Sequence, residues 1–315
     1  MSHHTNNTQT VIGRYAPSPT GALHFGNLRT ALLCWLQARL AGGRLLIRMD
    51  DLDAPRNRPD SAEQILDDLE WLGLDHDDEV IYQSQRSEVY EKVFDQLRRA
   101  GHLFPCRCSR KDIQQALSHP DGNADTTRYP GTCRPDGPNP VDLESAADFP
   151  VAWRFQVSGD LISFEDEVLG RQTNNLSMHP GDFVVRRKDE IFAYQLASVV
   201  DDMQLGVTDV LRGADLLDST ARQIALFNAL NAKVPRFWHV PLMADASGEK
   251  LSKRDGSMSL REWRIQGDTP SIVVGKLAAS LGLVPADETL SAQQLRDRLT
   301  PDQFKQSLKR ARDAR

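Results

Sequence analysis

The stretch 11-VIGRYAPSPTGALHFGNLRTALLCWLQARL-40 predicts a strand, a turn and a long helix in direct succession. Its start has the apolar pattern of a buried strand, and the prolines and glycine of PSPTG end that strand. Leucine and tryptophan then recur at helical spacing as far as Leu40. This order is typical of an α/β sheet, and it places His24, Gly26 and Asn27 at the start of the helix.

The start of this helix is a candidate site for phosphate groups. The first N–H groups of a helix have no partner within the helix and lie at the positive end of its dipole, and a glycine lets a ligand approach the backbone closely. A second interpretation is that Gly21 and Gly26 only shape a turn and that His24 is an ordinary loop histidine. The local sequence leaves both interpretations open.

Strand and helix patterns continue to alternate along the chain, which predicts a doubly wound parallel sheet. A second apolar strand, 44-RLLIRMDDLD-53, ends in Asp50, Asp51 and Asp53, and α/β enzymes place ligand contacts where buried strands end. Helical patterns follow at 59–74, 87–100 and 219–230, strand patterns at 151–157, 161–170 and 237–243, and a mixed pattern at 183–217. From Arg261 on, the pattern is helical.

The composition is that of a globular protein, with 315 residues of which 40% are hydrophobic. The net charge of −6 argues against indiscriminate binding of nucleic acid, which needs a cation-rich surface. No apolar run approaches the roughly 20 residues that span a bilayer. The start MSHHTNNTQT lacks the apolar core of a signal peptide. We therefore expect a cytoplasmic protein that does not contact membranes.

Cys133 lies in a stretch rich in proline and glycine at 119–140, Cys106 and Cys108 precede that stretch with one residue between them, and Cys34 lies in the first predicted helix. Cys106, Cys108 and Cys133 in a cytoplasmic chain favour a metal site over a disulfide. Zinc takes four tetrahedral ligands, so one more is needed. The candidates for it are His102, His119 and Tyr129. The alternative is that the three thiols are unconnected.

Two motifs together resemble a known family. The segments 24-HFGN-27 and 250-KLSKR-254 resemble the paired signatures of class I aminoacyl-tRNA synthetases, which hold ATP from opposite sides. Five blocks in matching order resemble the glutamyl branch: RYAPSPTGALHFGNLRTAL, RMDDLD, AYQLASVVDD, LRGADLLDST and GEKLSKRDG. Only about 60 residues follow the lysine loop. With 106-CRC-108 and 129-YPGTC-133, this short form is similar to the glutamyl-Q tRNA(Asp) synthetase family.

The resemblance implies the Rossmann-like doubly wound parallel sheet of class I synthetases, with a zinc-containing insert and a short helical C-terminal region. The implied divisions are a disordered N-terminus at 1–10, the two halves of the nucleotide-binding fold at 11–104 and 181–260, the insert at 105–180, and the helical region at 261–315.

The resemblance also implies an activity: ATP-dependent activation of L-glutamate as glutamyl-adenylate, followed by transfer to the queuosine base in the anticodon of tRNA(Asp). Mg²⁺ would accompany ATP, and one structural zinc ion would be bound per chain. A monomer is expected.

The site residues implied by the resemblance fall into three groups. The ATP-binding residues are His24, Gly26, Asn27, Lys250 and Lys253, of which His24 and Lys253 are the catalytic pair. The glutamate-binding residues are Arg14, Tyr15, Ala16, Pro17, Ser18, Asp50, Tyr194 and Arg212. The zinc ligands are Cys106, Cys108, Tyr129 and Cys133. Asp50 would take the ammonium group, at a position where the family usually has glutamate.

Two other functions remain open at this stage. The first is a truncated glutamyl-tRNA synthetase that charges a tRNA 3′ end. The second is a catalytically idle paralogue that binds RNA or a metabolite. Retention of His24, Lys250, Lys253, Arg14 and Arg212 argues against the idle paralogue.

Overall fold

Strands and helices alternate along the residues that the computed structural model describes, which are 10–117, 128–136, 150–242 and 258–313. The strands of this part of the chain are β1 Ile12–Tyr15, β2 Arg44–Met49, β3 Ile81–Tyr82, β4 Leu103–Cys106, β5 Ala152–Phe155, β6 Leu161–Asp166, β7 Gly170–Asn175, β8 Phe183–Arg186, β9 Asp209–Gly213 and β10 Arg236–Val240. Its helices are α1 Phe25–Leu40, α2 Ser61–Trp71, α3 Ser87–Arg99, α4 Arg110–Leu117, α5 Tyr194–Gln204, α6 Leu217–Ala229, α7 Leu260–Ile265, α8 Pro270–Ala279, α9 Ala292–Asp297 and α10 Pro301–Asp313.

The main sheet has the strand order β3-β2-β1-β9-β10-β6-β7. Neighbouring strands are parallel from β3 through to β6, and β7 returns antiparallel to β6. The chain leaves β1 toward β2 on one side, and β9 later adds to the other side. The boundary between β1 and β9 is therefore a topological switch point. Open α/β sheets bind ligands at such points, outside the carboxyl ends of the strands. The predicted doubly wound α/β fold is confirmed.

Helix α1 is the central element of the larger core. Leu28, Leu32, Leu33 and Leu36 are fully buried within it. The helix is apolar on several sides because it packs against β1, β2 and β9 on one side and against α8, α9 and α10 on the other. Helix α1 therefore starts at a fixed position beside the switch point.

A second core lies under the antiparallel sheet β4-β5-β8. Aromatic rings from α3 and from the sheet pack edge to face or stack there, as Phe94 does on Trp153 and Phe155 on Phe183. Strands β6 and β7 lie within the range predicted as an insert, yet β6 pairs in parallel with β10 of the main sheet. The stretch 105–180 thus contributes to both sheets.

The helices near the C-terminal end begin at well-formed caps. Ser259 and Glu262 form a capping box at α7, Ser291 and Gln294 form another at α9, and the Thr269 hydroxyl accepts from the start of α8. Such caps satisfy N–H groups that have no partner within the helix. The helical C-terminal region predicted from the sequence is confirmed. Among the described helices, none combines the length and the apolar character that crossing a membrane requires.

Candidate active site and candidate metal cluster

A cavity of about 950 Å³ opens at the carboxyl ends of β1, β2 and β9, beside the start of α1. A volume of this size suits a ligand of several tens of atoms. The predicted ATP- and glutamate-binding residues that line it are Arg14, Tyr15, Ala16, Pro17, Ser18, His24, Gly26, Asn27, Asp50, Tyr194 and Arg212. The predicted Lys250 and Lys253 lie outside the described residues.

Two guanidinium groups give one wall of the cavity its positive charge. Arg14, at β1, donates from Nη1 to the Leu211 carbonyl at 3.1 Å, and its Nε lies 3.5 Å from Asp202. Burial, and the nearby charge of Arg14, lower the pKa of Arg212 from its usual value. Bringing two like charges to one buried wall is costly, and an anionic ligand between them relieves the cost.

Arg212 is held only by neutral hydrogen-bonding partners among the residues the structure describes. Its Nη1 donates to Gln223 Oε1 at 2.8 Å and to the Tyr194 hydroxyl at 3.4 Å. Its Nη2 donates to Thr220 Oγ1 at 2.9 Å, and its Nε donates to His239 Nε2 at 3.0 Å. Its charge therefore remains available to a carboxylate in the cavity.

Asp50 brings a buried negative charge to the same cavity. Both of its oxygens accept from Arg48, at 2.6 Å from Nε and 3.4 Å from Nη2. Burial raises the pKa of Asp50 above its usual value, although Arg48 opposes the rise. Arg48 also donates to Asp202 at 2.7 Å and lies 3.6 Å from Asp201. A carboxylate offers about four lone-pair sites, so Asp50 can still accept from a ligand's ammonium group.

The geometry of Gly21 and Gly26 bears on whether these glycines only shape a turn or let a ligand approach the start of α1. Gly21 has a φ of +134°, so it does shape the turn before the helix. Gly26 lies inside α1, and a Cβ there would meet no described atom within 4 Å. Neither a turn nor packing therefore requires a glycine at residue 26, whereas close approach of a ligand would. His24 caps the helix without a side-chain bond to it.

The described residues on the two sides of 243–257 line the cavity or contact His24. Pro241 and Leu242 line the cavity, and Arg29 of α1 donates to the Pro241 carbonyl. Ser259 pairs with His24 in an antiparallel bridge. Among the described residues, the buried His24 Nδ1 has no hydrogen-bond partner. Leu242 and Ser259, which flank the predicted lysine loop in the sequence, therefore lie at the cavity wall and beside His24.

A separate cluster brings three thiols together. The Sγ atoms of Cys106, Cys108 and Cys133 lie within 4.8 Å of one another, and those of Cys108 and Cys133 are 3.6 Å apart. Tetrahedral zinc, with Zn–S bonds of about 2.3 Å, separates its sulfurs by about 3.8 Å. Burial and the neighbouring thiols raise the pKa of Cys108 to about 11. The cluster could therefore hold a metal ion, and binding one would displace thiol protons.

The three candidates for a fourth ligand differ in position. The Tyr129 hydroxyl lies 3.5 Å from Cys106 Sγ and accepts from the Cys133 amide at 2.8 Å. The Arg154 guanidinium lies 3.8 Å above the Tyr129 ring. His102 instead stacks on Phe155, and His119 lies outside the described residues. The donor set therefore fits one metal ion with Tyr129 beside it.

Comparison with known proteins decides the family. The family model for tRNA synthetases class I (E and Q), catalytic domain, matches residues 10–308. A glutamyl-Q tRNA(Asp) synthetase of Parasynechococcus marenigrum is 48% identical over 291 residues, which cover 92% of this chain and 90% of that protein. The chain belongs to the glutamyl-Q tRNA(Asp) synthetase family. Another relative of that name, from Symbiobacterium thermophilum, is 45% identical over 294 residues, covering 90% of this chain and 91% of its own.

The fold of this glutamyl-Q tRNA(Asp) synthetase family member is similar to solved synthetases. A glutamate tRNA ligase from Elizabethkingia meningosepticum, crystallised in complex with its amino acid, has a TM-score of 0.80 and 26% identity. The match covers 94% of this chain and 66% of that longer one. A methionyl-tRNA synthetase of Mycobacterium tuberculosis shares only the fold, with a TM-score of 0.55 and 15% identity. The resemblance predicted from the motifs is therefore confirmed.

The sequence did not single out several residues of this family member's cavity. The cavity is also lined by Arg187, Arg29 and Gln83, and Arg48 donates a hydrogen bond to Asp50. Arg48 carried a signal, because an arginine in the otherwise apolar stretch 45-LLIRM-49 must find a buried partner. His239 carried the same signal in FWHVPLM. Arg187 carried none, since it reaches the cavity from the loop after β8.

Proposed function

We propose that the chain activates L-glutamate with ATP as glutamyl-adenylate and then transfers the glutamyl group to queuosine in the anticodon of tRNA(Asp). The activation step is proposed from the charged side chains that line one cavity beside the start of α1. Arg14 and Arg212 supply positive charge there, and Asp50 supplies negative charge. Glutamate needs cationic partners for two carboxylates and an anionic one for its ammonium group.

Activation requires no protein nucleophile. An oxygen of the glutamate α-carboxylate attacks the α-phosphorus of ATP, a new P–O bond forms, and the bond to pyrophosphate breaks. Catalysis then consists of positioning and of neutralising charge on the phosphates. His24 and the N–H groups around Gly26 and Asn27 would bind those phosphates. Lys250 and Lys253 keep their predicted role of closing on them, and Mg²⁺ would be held largely by phosphate oxygens.

Glutamate would lie between the two arginines and Asp50. The Tyr194 hydroxyl, 3.4 Å from Arg212 Nη1, can add a hydrogen bond to a carboxylate of the substrate. Tyr15 at the end of β1, and Ala16, Pro17 and Ser18 after it, line the cavity. Aspartate is one methylene shorter and glutamine lacks the second negative charge, so both should be poorer substrates.

The acceptor is proposed from the relatives. Proteins of 45 to 48% identity over about nine-tenths of this chain carry the name glutamyl-Q tRNA(Asp) synthetase. The cyclopentene diol of queuosine offers hydroxyls comparable to a ribose 2′,3′ pair, so the same adenylate can be attacked in the same way. A base splayed from its stack can enter a cavity, as is usual in the recognition of RNA loops.

We further propose that Cys106, Cys108, Cys133 and Tyr129 hold one structural zinc ion. The sulfur separations and the Tyr129 hydroxyl beside Cys106 support this set. The zinc ion would cross-link β4 to the loop at 128–136, and it would take no part in the reaction. We also propose the domain boundaries given in the sequence analysis, a cytoplasmic location and a monomeric state.

Glutamate-dependent exchange of pyrophosphate into ATP tests the activation step. We expect exchange with glutamate and far less with aspartate or glutamine. His24→Ala should reduce the exchange rate by about 10²–10³, the usual loss for one preorganised donor. Equal exchange with all three amino acids, or a His24→Ala variant as fast as the parent, would contradict the proposal. Absence of any exchange would favour the idle paralogue.

A further inference from the structure

A line of buried polar side chains leads from β6, across β10, to Arg212. Asp166 ends β6, and its Oδ2 lies 2.6 Å from His239 Nδ1 on β10. His239 Nε2 lies 3.0 Å from Arg212 Nε. Asp166 and His239 are 1% and 0% exposed, so solvent does not reach this line. None of the motifs assigned to the site includes either residue.

The chemistry of the three groups fixes one tautomer of His239. An ionised carboxylate can only accept, so the proton of the neutral ring must lie on Nδ1 and point at Asp166. His239 Nε2 is then a bare acceptor, which is what the Arg212 Nε–H requires. Burial lowers the pKa of His239, and hydrogen bonds from His239 and from backbone amides outweigh burial to lower the pKa of Asp166. Both shifts agree with a neutral ring beside a carboxylate.

We propose that His239 and Asp166 are positioning residues for the amino-acid site: Asp166 fixes the His239 tautomer, and His239 holds the Arg212 guanidinium toward a substrate carboxylate without neutralising it. This inference rests on the proposed function of Arg212 in binding glutamate.

A neutral acceptor suits this position better than a carboxylate would. Arg48 shows the contrast, because its partners Asp50 and Asp202 are carboxylates that compensate its charge inside the protein. Arg212 instead donates hydrogen bonds to four uncharged side chains, those of a histidine, a threonine, a glutamine and a tyrosine. Its orientation is fixed by several acceptors, while its charge is left for the ligand.

Asp166 also has a structural role, which an experiment must separate. Its Oδ1 accepts from the amides of Val168 and Leu169, at 3.0 and 2.8 Å, and so closes the turn after β6. That second role makes Asp166→Asn informative. The oxygen of the new amide stays with Val168 and Leu169, so its NH₂ group faces His239 Nδ1. The ring proton must then move to Nε2, where it opposes the Arg212 Nε–H.

The first experiment measures pyrophosphate exchange against glutamate and ATP concentration. We expect Asp166→Asn and His239→Leu to raise the glutamate KM tenfold or more while the ATP KM changes less than about twofold. His239→Gln should recover most of the loss, because its Oε1 can accept from Arg212 Nε. The matched control is Asp209→Asn, since Asp209 is a fully buried carboxylate bonded to Trp238 and Arg236 on the same sheet, away from the cavity.

The second experiment observes the tautomer directly. In protein labelled with ¹⁵N-histidine, one buried ring, identified by its loss in His239→Gln, should show a proton on Nδ1. In Asp166→Asn the proton should appear on Nε2. A proton on Nε2 in the parent protein would overturn the proposal without any activity measurement.

Failure of this inference is distinguishable from failure of the proposed function. Suppose that Arg212→Lys raises the glutamate KM, but that His239→Leu and Asp166→Asn change the glutamate KM and the ATP KM no more than the control Asp209→Asn does. The positioning role is then wrong, and the assignment of the glutamate site stands. If Arg212→Lys leaves the glutamate KM unchanged, the assignment of Arg212 is wrong, and the positioning role fails with it. If Asp166→Asn does not fold, the comparison of His239→Gln with His239→Leu decides.

Discussion

Arg48 donates to both carboxylate oxygens of Asp50, and this pair fixes a buried negative charge where the candidate substrate's ammonium group would lie. Asp50 lies directly after β2, at a position where the family resemblance implies the longer side chain of glutamate. The Arg48 guanidinium, 1% exposed, holds that short carboxylate in place. Asp50 therefore reaches the cavity wall in spite of the missing methylene.

Replacing Asp50 tests its role in binding the ammonium group. Asp50→Asn should raise the glutamate KM for pyrophosphate exchange at least tenfold, because an amide cannot compensate a positive charge. Asp50→Glu should keep most of the activity, since it retains the carboxylate. The ATP KM serves as the internal control. A parent-like glutamate KM in Asp50→Asn would show that the ammonium group binds elsewhere.

The buried network around Arg48 should contribute strongly to stability. Arg48→Met leaves Asp50 without the cation bonded to it and leaves Asp202 with Arg14 alone, and breaking a buried pair typically costs about 3–5 kcal/mol. Urea unfolding measures the change. The control is Arg298→Met, which removes the exposed pair with Glu288 and should cost less than about 1 kcal/mol. Equal effects of the two variants would show that the network does not stabilise the fold.

The metal cluster should bind close to one zinc ion per chain. Cys133→Ser should lose the ion, and Tyr129→Phe should bind it more weakly, because each removes a ligand of the proposed set. Two matched controls should retain it: Cys34→Ser removes a buried thiol outside the cluster, and His102→Ala removes the ring that stacks on Phe155. Elemental analysis of purified variants gives the answer. Full zinc content in Cys133→Ser, or loss in His102→Ala, would contradict the ligand set.

The pH dependence of stability should carry a contribution from Asp68. Burial raises the pKa of Asp68 to about 6, although Arg264 opposes the rise. The folded protein then binds more protons than the unfolded chain between about pH 4 and pH 6, so this contribution to stability falls as the pH rises through that window. Asp68→Asn should therefore gain about 1 kcal/mol relative to the parent at pH 8, a value reduced because the group is partly exposed and screened by solvent, and it should lose that advantage only below about pH 4. An advantage independent of pH would contradict the raised pKa.

The main sheet and the cavity could be predicted from the sequence because their signals are local. Apolar runs mark β1, β2 and β10, and the glycine and proline residues after β1 mark the turn into α1. Strand β7, GRQTNN, could not be predicted, because it is polar and half exposed and forms only by pairing with β6. The helix predicted over 59–74 is shorter, Ser61–Trp71, since Asp60 and Gly73 adopt left-handed conformations at its ends.

The supporting residues of the site depend on tertiary structure. Asp166 and His239 are 73 positions apart in the chain, and only the pairing of β6 with β10 brings them together. Nothing in the local pattern of either segment specifies that pairing. The assignment of Arg14 and Arg212 to the amino-acid site came instead from the family resemblance, and Asp50 was indicated in addition by the rule that α/β enzymes place ligand contacts where buried strands end.

The central claim is tested most directly by locating transferred glutamate. The protein is incubated with ATP, labelled glutamate and tRNA from cells able or unable to make queuosine, and the labelled tRNA is cleaved into its anticodon-loop and 3′-terminal fragments. We expect label only with queuosine-containing tRNA(Asp), and only in the anticodon fragment. Equal labelling of the two tRNA pools, or label released with the 3′-terminal nucleotide, would contradict the account and indicate a synthetase that charges tRNA ends.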